Sequence, residues 1–384
     1  MFSKLNKKWL VLLISLTLIL PMILSACTKT TTTTTASVTK MAPTSTSSSP
    51  NPLTTVSQLV GLDGAGATFP GPLYSKWFDQ YNKITGVQIN YQAVGSGSGI
   101  TQITNGTVDF GASDGIMSDS QITAAQAAYG PILHIPMTIG PVAIAYNLAG
   151  IGTQQLKLTG SILAGIYLGT ITKWNDPQIT AVNTGLKLPD TTIAVVHRSD
   201  GSGTTYIFTN YLSKINTDWN SKVGNANSVN WPVGLGGAQS AGVAGLVQQT
   251  PNSIGYVELA YAITNNITYA QLQNSSGNYI LPTMASASAA AEGITLPDDM
   301  KIMITNSSNA QAYPIVGFTW ILAYVNQTDK TKGQELANVL WWATHDGQQY
   351  SNALNYPTLP ASAVAKAENE ILSMKYQGQS LLSR

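Results

Sequence analysis

Ile193-Ala194-Val195-Val196 is followed by Arg198-Ser199-Asp200-Gly201-Ser202-Gly203-Thr204-Thr205 and a helical stretch to about Ser213. A short apolar strand feeds a loop of small residues, and the loop opens a helix. The first turn of a helix leaves its N–H groups without intrahelical partners and carries partial positive charge, so such a loop suits an anion. Glycines let the backbone approach a ligand closely, and hydroxyls add donors. Arg198 adds a cation whose planar fork suits an oxyanion, whereas a plain surface pair with Asp200 would contribute little.

Two stretches upstream share this design. Gly64-Ala65-Gly66-Ala67-Thr68-Phe69-Pro70-Gly71-Pro72 leads into Leu73, Trp77, Tyr81 and Ile84, a helical stripe that stops at Gly86. Its prolines suit a first helical turn. Val87–Val94 alternates for most of its length as a strand does, Gly95-Ser96-Gly97-Ser98-Gly99 is a turn, and Ile100 with Ile103 starts another helix. Val108–Ala112 reads as a short buried strand ending at Ser113-Asp114, and Gly333–Gly347 and Pro360–Met374 read as helices. Strand and helix alternate without an internal repeat, which predicts α/β layers with mainly parallel sheets.

One such loop is more often a capped helix than a ligand site. Three in one chain, one with an arginine, carry more weight. None completes a nucleotide motif: position 69 is Phe where a third glycine would stand, and no Gly-Lys-Ser/Thr loop exists.

Charge narrows the options. Lys+Arg number 19 and Asp+Glu 18 in 384 residues, so the chain lacks the basic field that nucleic acid requires. Any anion must be held by local dipoles and one or two cations. His134, His197 and His345 lie far apart with no nucleophile motif, and there is no H-E-x-x-H or cysteine pair, so neither an enzyme nor a metal or other cofactor is expected.

The N-terminus carries Lys4, Lys7 and Lys8, an apolar run from Trp9 to about Leu24, and then Leu24-Ser25-Ala26-Cys27. This reads as a secretory signal over 1–26. Its ending resembles a bacterial lipobox, which implies that Cys27 carries lipid such as palmitate. Residues 27–56 are a Thr/Ser/Pro tract that cannot form a core and reads as a tether, or as a glycosylated stalk. Cys27 is the only cysteine, so no intramolecular disulfide is available, and the folded part relies on its core.

The loops Gly64–Pro70, Gly95–Gly99 and Arg198–Thr204, with Val108-Asp109-Phe110-Gly111-Ala112-Ser113-Asp114, together resemble the periplasmic phosphate-binding protein of phosphate ABC transporters. Tyr167-Leu168-Gly169, Lys173-Trp174 and Ile254-Gly255-Tyr256-Val257-Glu258 are further matches. The resemblance runs from about Asp63 to Ala262 and is thinner afterwards, at Pro314–Ala323 and Tyr356–Pro360. It implies the type II periplasmic-binding fold: two α/β domains, 57–140 with 314–384 and 141–313, joined by a hinge of two crossing strands, with ligand in the cleft. It also implies a chain lipid-anchored outside the cytoplasm, monomeric, and delivering inorganic phosphate to permease subunits.

Carried over residue by residue, Thr68, Phe69 (through its N–H) and Ser96 are expected donors from one domain. Arg198, steadied by Asp200, and Ser202, Gly203 and Thr204 are expected from the other. Asp114 stands where the family accepts a hydrogen bond from the ligand. A carboxylate beside an anion repels it unless the ligand brings a proton, as phosphate does near neutral pH and sulfate does not. The alternatives are another oxyanion, sulfate or tungstate, or a phosphate sensor without a transporter. Two positions depart from the family: His197, read as facing away from the site, and Ser240-Ala241, which stand where an Asn and an acidic residue are common. The second departure is expected to affect local loop contacts and none of the ligand residues.

Overall fold

Each small-residue loop closes a strand and opens a helix, and together these units build one large sheet. In chain order its strands are β1 (Leu62–Gly66), β2 (Ile89–Ala93), β3 (Phe110–Ser113), β4 (Ile132–Asn147), β5 (Ala194–Arg198), β6 (Leu235–Gly237), β7 (Ser253–Glu258), β8 (Thr268–Tyr269) and β9 (Val316–Tyr324). The spatial order is β2-β1-β3-β9-β4-β7-β5-β6, with β8 also pairing β4. The computed structural model describes residues 60–151 and 155–383, all within the unit Pro50–Arg384. The leader, Cys27 and the 27–56 tether lie outside the described residues. No described helix is long and apolar enough to cross a membrane.

The sheet is less parallel than the alternation of strand and helix predicts. Its two flanks are parallel, β2-β1-β3 on one side and β7-β5-β6 on the other, because helical crossovers link them. Its centre is antiparallel. The reason is that β4 and β9 carry the chain across the sheet in opposite directions. Ile132–Pro141 of β4 pairs with β9, and Val142–Asn147 pairs with β7. The β4–β9 register shifts between Thr319 and Trp320, opposite Pro136 and Thr138. Pro136 has no N–H to give the ladder, and an irregularity of this kind re-aims a side chain.

Helix α1 (Gly71–Thr85) buries Leu73, Tyr74, Trp77, Phe78 and Tyr81 and ends where Gly86, at φ 81°, donates its N–H to the Asn82 carbonyl. Ile84 does not share the expected buried stripe; it is 63% exposed in the last turn. Helix α2 (Ser96–Thr104) buries Ile100 and Ile103. Helix α3 (Gly203–Ile215) follows β5, and α4 (Gln239–Gln249) follows β6. The two helices expected near the end are α5 (Lys330–Thr344), capped by Asp329, and α6 (Ala361–Leu372). Behind β5 the core is aromatic, with Phe208 stacked on Tyr256 at 4.3 Å between ring centroids.

Candidate anion-binding site

The loops that precede α1, α2, α3 and α4 meet at one place. Gly97 donates its N–H to the Gly201 carbonyl at 2.9 Å, joining the α2 loop to the α3 loop. Arg198, at the end of β5 and 3% exposed, donates from Nη1 to Thr68 Oγ1 at 3.3 Å. Its Nε donates to Asp200 Oδ1 at 2.7 Å, and its Nη2 donates to Oδ2. Asp200 also accepts from the Gln239 N–H at 2.9 Å. Burial alone would raise the Asp200 carboxyl; the Arg198 hydrogen bonds and charge outweigh it and hold the group below its usual range. Two edges of the guanidinium are therefore fixed and Nη1 is aimed inward.

The α1 loop is braced from behind. Tyr261 donates its hydroxyl to the Thr68 carbonyl at 2.6 Å, and Tyr356 donates to the Phe69 carbonyl at 2.7 Å. The Thr68 carbonyl and the Phe69 N–H belong to one planar peptide, so holding the carbonyl fixes the direction of the N–H. The Phe69 ring is itself fully buried in the core.

On α3, Ser202 is the N-cap, its Oγ accepting from the Thr205 N–H at 3.1 Å. That leaves its hydroxyl proton free to be donated elsewhere. The Gly203 and Thr204 N–H groups belong to the first turn and have no helical acceptor. Thr204 Oγ1 is buried and, among the described residues, has no hydrogen-bond partner. An unsatisfied buried hydroxyl calls for an explanation, and a ligand oxygen supplies one.

Asp114 follows β3 and is 1% exposed. Burial pushes its carboxyl up to about 7, against hydrogen bonding from Thr319, the Arg198 charge and hydrogen bonding with Ser96. Thr319 Oγ1 donates to Oδ1 at 2.8 Å, and the Asp114 N–H donates to Ser96 Oγ at 3.3 Å. Gly203 packs so closely here that a Cβ would stand 2.6 Å from Asp114 Cβ and 2.6 Å from Ser96 Oγ, so no side chain fits at this position. The structure thus brings Thr68, Ser96, Asp114, Arg198, Asp200, Ser202, Gly203 and Thr204 to one place, with Phe69 contributing backbone. His197 points away from it: the imidazole stacks on Trp231 at 4.7 Å and its Nδ1 lies 3.0 Å from the Arg198 carbonyl. A cavity of about 800 Å³ opens beside the Gly97–Gly201 contact, walled by Ser98, Gln102, Gln121 and Asn225 together with Ile116 and Tyr206.

A family model for the PBP superfamily domain matches residues 29–344. The phosphate-binding protein PstS of Xylella fastidiosa is 44% identical over 323 residues, covering 84% of this chain and 87% of that protein. The chain belongs to the PstS family of phosphate-binding proteins. A PstS from Pasteurella multocida is 42% identical over 318 residues, covering 82% of this chain and 90% of its own. Among solved structures, a high affinity periplasmic phosphate-binding protein (PfluDING) bound with phosphate aligns with a TM-score of 0.65 at 22% identity. It covers 81% of this chain and 93% of its own. An ABC-type phosphate transport receptor from Vibrio cholerae aligns with a TM-score of 0.52 at 19% identity, over 78% of this chain and all of its own. Both show the same substrate-binding fold.

Four side chains around this PstS-family site were not placed there by the sequence reading. Thr319, Tyr261 and Tyr356 come from segments far along the chain, and only the thin resemblance at Pro314–Ala323 and Tyr356–Pro360 hinted at two of them. The fourth is Ser240. The departure at Ser240-Ala241 was expected to spare the ligand residues; instead the Ser240 Oγ lies 2.8 Å from Thr68 Oγ1 and 3.5 Å from Arg198 Nη1.

Proposed function

We propose that this chain captures inorganic phosphate outside the cytoplasm and delivers it to an ABC importer, without catalysing a reaction. The observation that carries the reading is the pairing of one inward arginine with a buried carboxyl, Asp114, inside a ring of neutral donors. The arginine and the donors take the anionic oxygens. Asp114 takes the ligand's own proton, which selects an oxyanion still protonated near neutral pH. The names of the PstS relatives support the same ligand.

In this reading Thr68, Phe69, Ser96 and Asp114 contact phosphate from the part formed by 57–140 with 314–384, and Arg198, Ser202, Gly203 and Thr204 contact it from 141–313. Asp200 steadies Arg198. Strands β4 and β9 are the hinge, and ligand bridging the two parts favours the closed arrangement. Lipid on Cys27, after Leu24-Ser25-Ala26, holds the chain at the membrane through the 27–56 tether, and the chain works as a monomer that meets permease subunits.

Thermal melting tests the ligand. Phosphate at about 100 times its Kd is expected to add about 2.7 kcal/mol of stability, while sulfate at the same concentration leaves the melting temperature unchanged. A shift with sulfate and none with phosphate would overturn the assignment.

A further inference from the structure

We propose that Ser240 is a positioning residue for anion capture: by donating its hydroxyl proton to Thr68, it leaves the Thr68 hydroxyl one remaining use, donation to the bound oxyanion. The inference rests on the phosphate reading of the preceding section and concerns the same site.

Ser240 lies in the first turn of α4 (Gln239–Gln249) and is 1% exposed. The residue before it, Gln239, has φ 61°, in the left-handed region that costs a residue with a Cβ. That conformation is held by the Gln239 N–H, which donates to Asp200 Oδ1 at 2.9 Å. The same carboxylate aligns Arg198, so one group sets both the guanidinium and the turn that aims Ser240.

The rest follows from counting donors and acceptors. A hydroxyl has one proton and two lone pairs, whereas a guanidinium only donates. Arg198 Nη1 donates to Thr68 Oγ1 at 3.3 Å and reaches Ser240 Oγ at 3.5 Å, and the two hydroxyl oxygens are 2.8 Å apart. When Ser240 donates to Thr68, both lone pairs of Thr68 Oγ1 are filled, one by arginine and one by serine. Its proton then has to point elsewhere. The opposite arrangement would spend the Thr68 proton on a neutral oxygen, and an anion is the stronger acceptor. An oxygen that accepts two hydrogen bonds also becomes a better donor. Ser240 therefore restricts the rotation of Thr68 and strengthens its one outward hydrogen bond.

The test is a double-mutant cycle on the full chain, with phosphate affinity read by titration calorimetry. Ser240→Ala is expected to weaken phosphate binding roughly three- to tenfold, the value of one neutral hydrogen bond. In a Thr68→Val background, where there is no hydroxyl to orient, the same change is expected to cost nothing further. Ser240→Cys keeps the side-chain volume with a poor donor and is expected to behave like Ser240→Ala, which guards against a packing defect in the alanine variant. Unchanged affinity in Ser240→Ala, or an equal loss in both backgrounds, overturns the inference and leaves the phosphate reading standing. Failure of the unmodified chain to bind phosphate overturns both.

Discussion

Asp114→Asn is expected to let sulfate in. With the carboxylate in place, a fully deprotonated oxyanion faces a buried negative acceptor that it cannot satisfy, and a mismatch of this kind discriminates by roughly 10⁴–10⁵. Asparagine is nearly the same size and can turn its amide N–H toward the ligand. Two pH units above the Asp114 value of about 7, where the carboxyl is ionised, the phosphate-over-sulfate ratio is therefore expected to narrow by about 10², read as the ratio of Kd values in calorimetry. An unchanged ratio would remove Asp114 from the selectivity. The effect also has a pH signature. Burial raises the Asp114 carboxyl from 3.8 to about 7, so lowering the pH through neutrality protonates it and turns it from acceptor into donor. Sulfate carries no proton in that range, so its affinity for the unmodified chain is expected to rise by up to about tenfold per pH unit as the pH falls toward 7 and to level off once Asp114 is protonated. In Asp114→Asn that slope disappears. The same shift bears on the ligand-free fold. A carboxyl raised on folding contributes stability that is fully present below its unfolded value of 3.8 and is lost as pH rises through about 7. Melting temperature without ligand is expected to fall across that window, and less so in Asp114→Asn.

Arg198→Ala is expected to abolish useful phosphate binding, with a loss of about 10²–10³ or more in affinity. Two effects combine. The inward Nη1 disappears, and Asp200 is left without the partner that accounts for its lowered pKa. A partly buried carboxylate then faces the site in place of a neutralised pair, which repels the anion as well as failing to attract it. Arg198→Lys is expected to rescue little. A single ammonium cannot donate to both Asp200 oxygens and to the ligand at once, which the guanidinium does through Nε, Nη2 and Nη1. Lysine binding within tenfold of the unmodified chain would show that charge, and not geometry, is the requirement.

The readable part of this site is the local part. Strand, small-residue loop and helix start follow one another within a dozen or so residues, so the loops that hold Thr68, Ser96 and Arg198–Thr204 stand out from their neighbours alone, and the alternation of such units gave the α/β class; which residues in them are donors came from the family resemblance. Asp114 needed the family resemblance, because a carboxylate after a strand otherwise reads as a turn residue. What could not be read depends on distant segments. Thr319 reaches Asp114 across 205 positions of chain, and it is the register shift beside it that disturbs the plain alternation of the strand. Tyr261 and Tyr356 are 193 and 287 positions from the carbonyls they hold. Ser240 sits in a loop whose departure from the family looked local, and only the turn at Gln239 brings it onto Thr68. The antiparallel centre of the sheet was hidden for the same reason: local pattern marks strands, but partner direction is set by where the chain has to go next.

Strand β4 has a consequence for how the molecule comes apart. Its first part is paired with β9 and its last six residues with β7, within one unbroken run of backbone. Neither flank of the sheet owns it. A fragment ending before β4 would lack β9 as well and present a bare edge at β3, and one starting after it would bare both β7 and β9. Each flank thus completes the other's hydrogen-bonding, and the sheet holds together as one cooperative unit. In the proposed hinge reading, bending for capture and cohesion against unfolding would fall to the same strand.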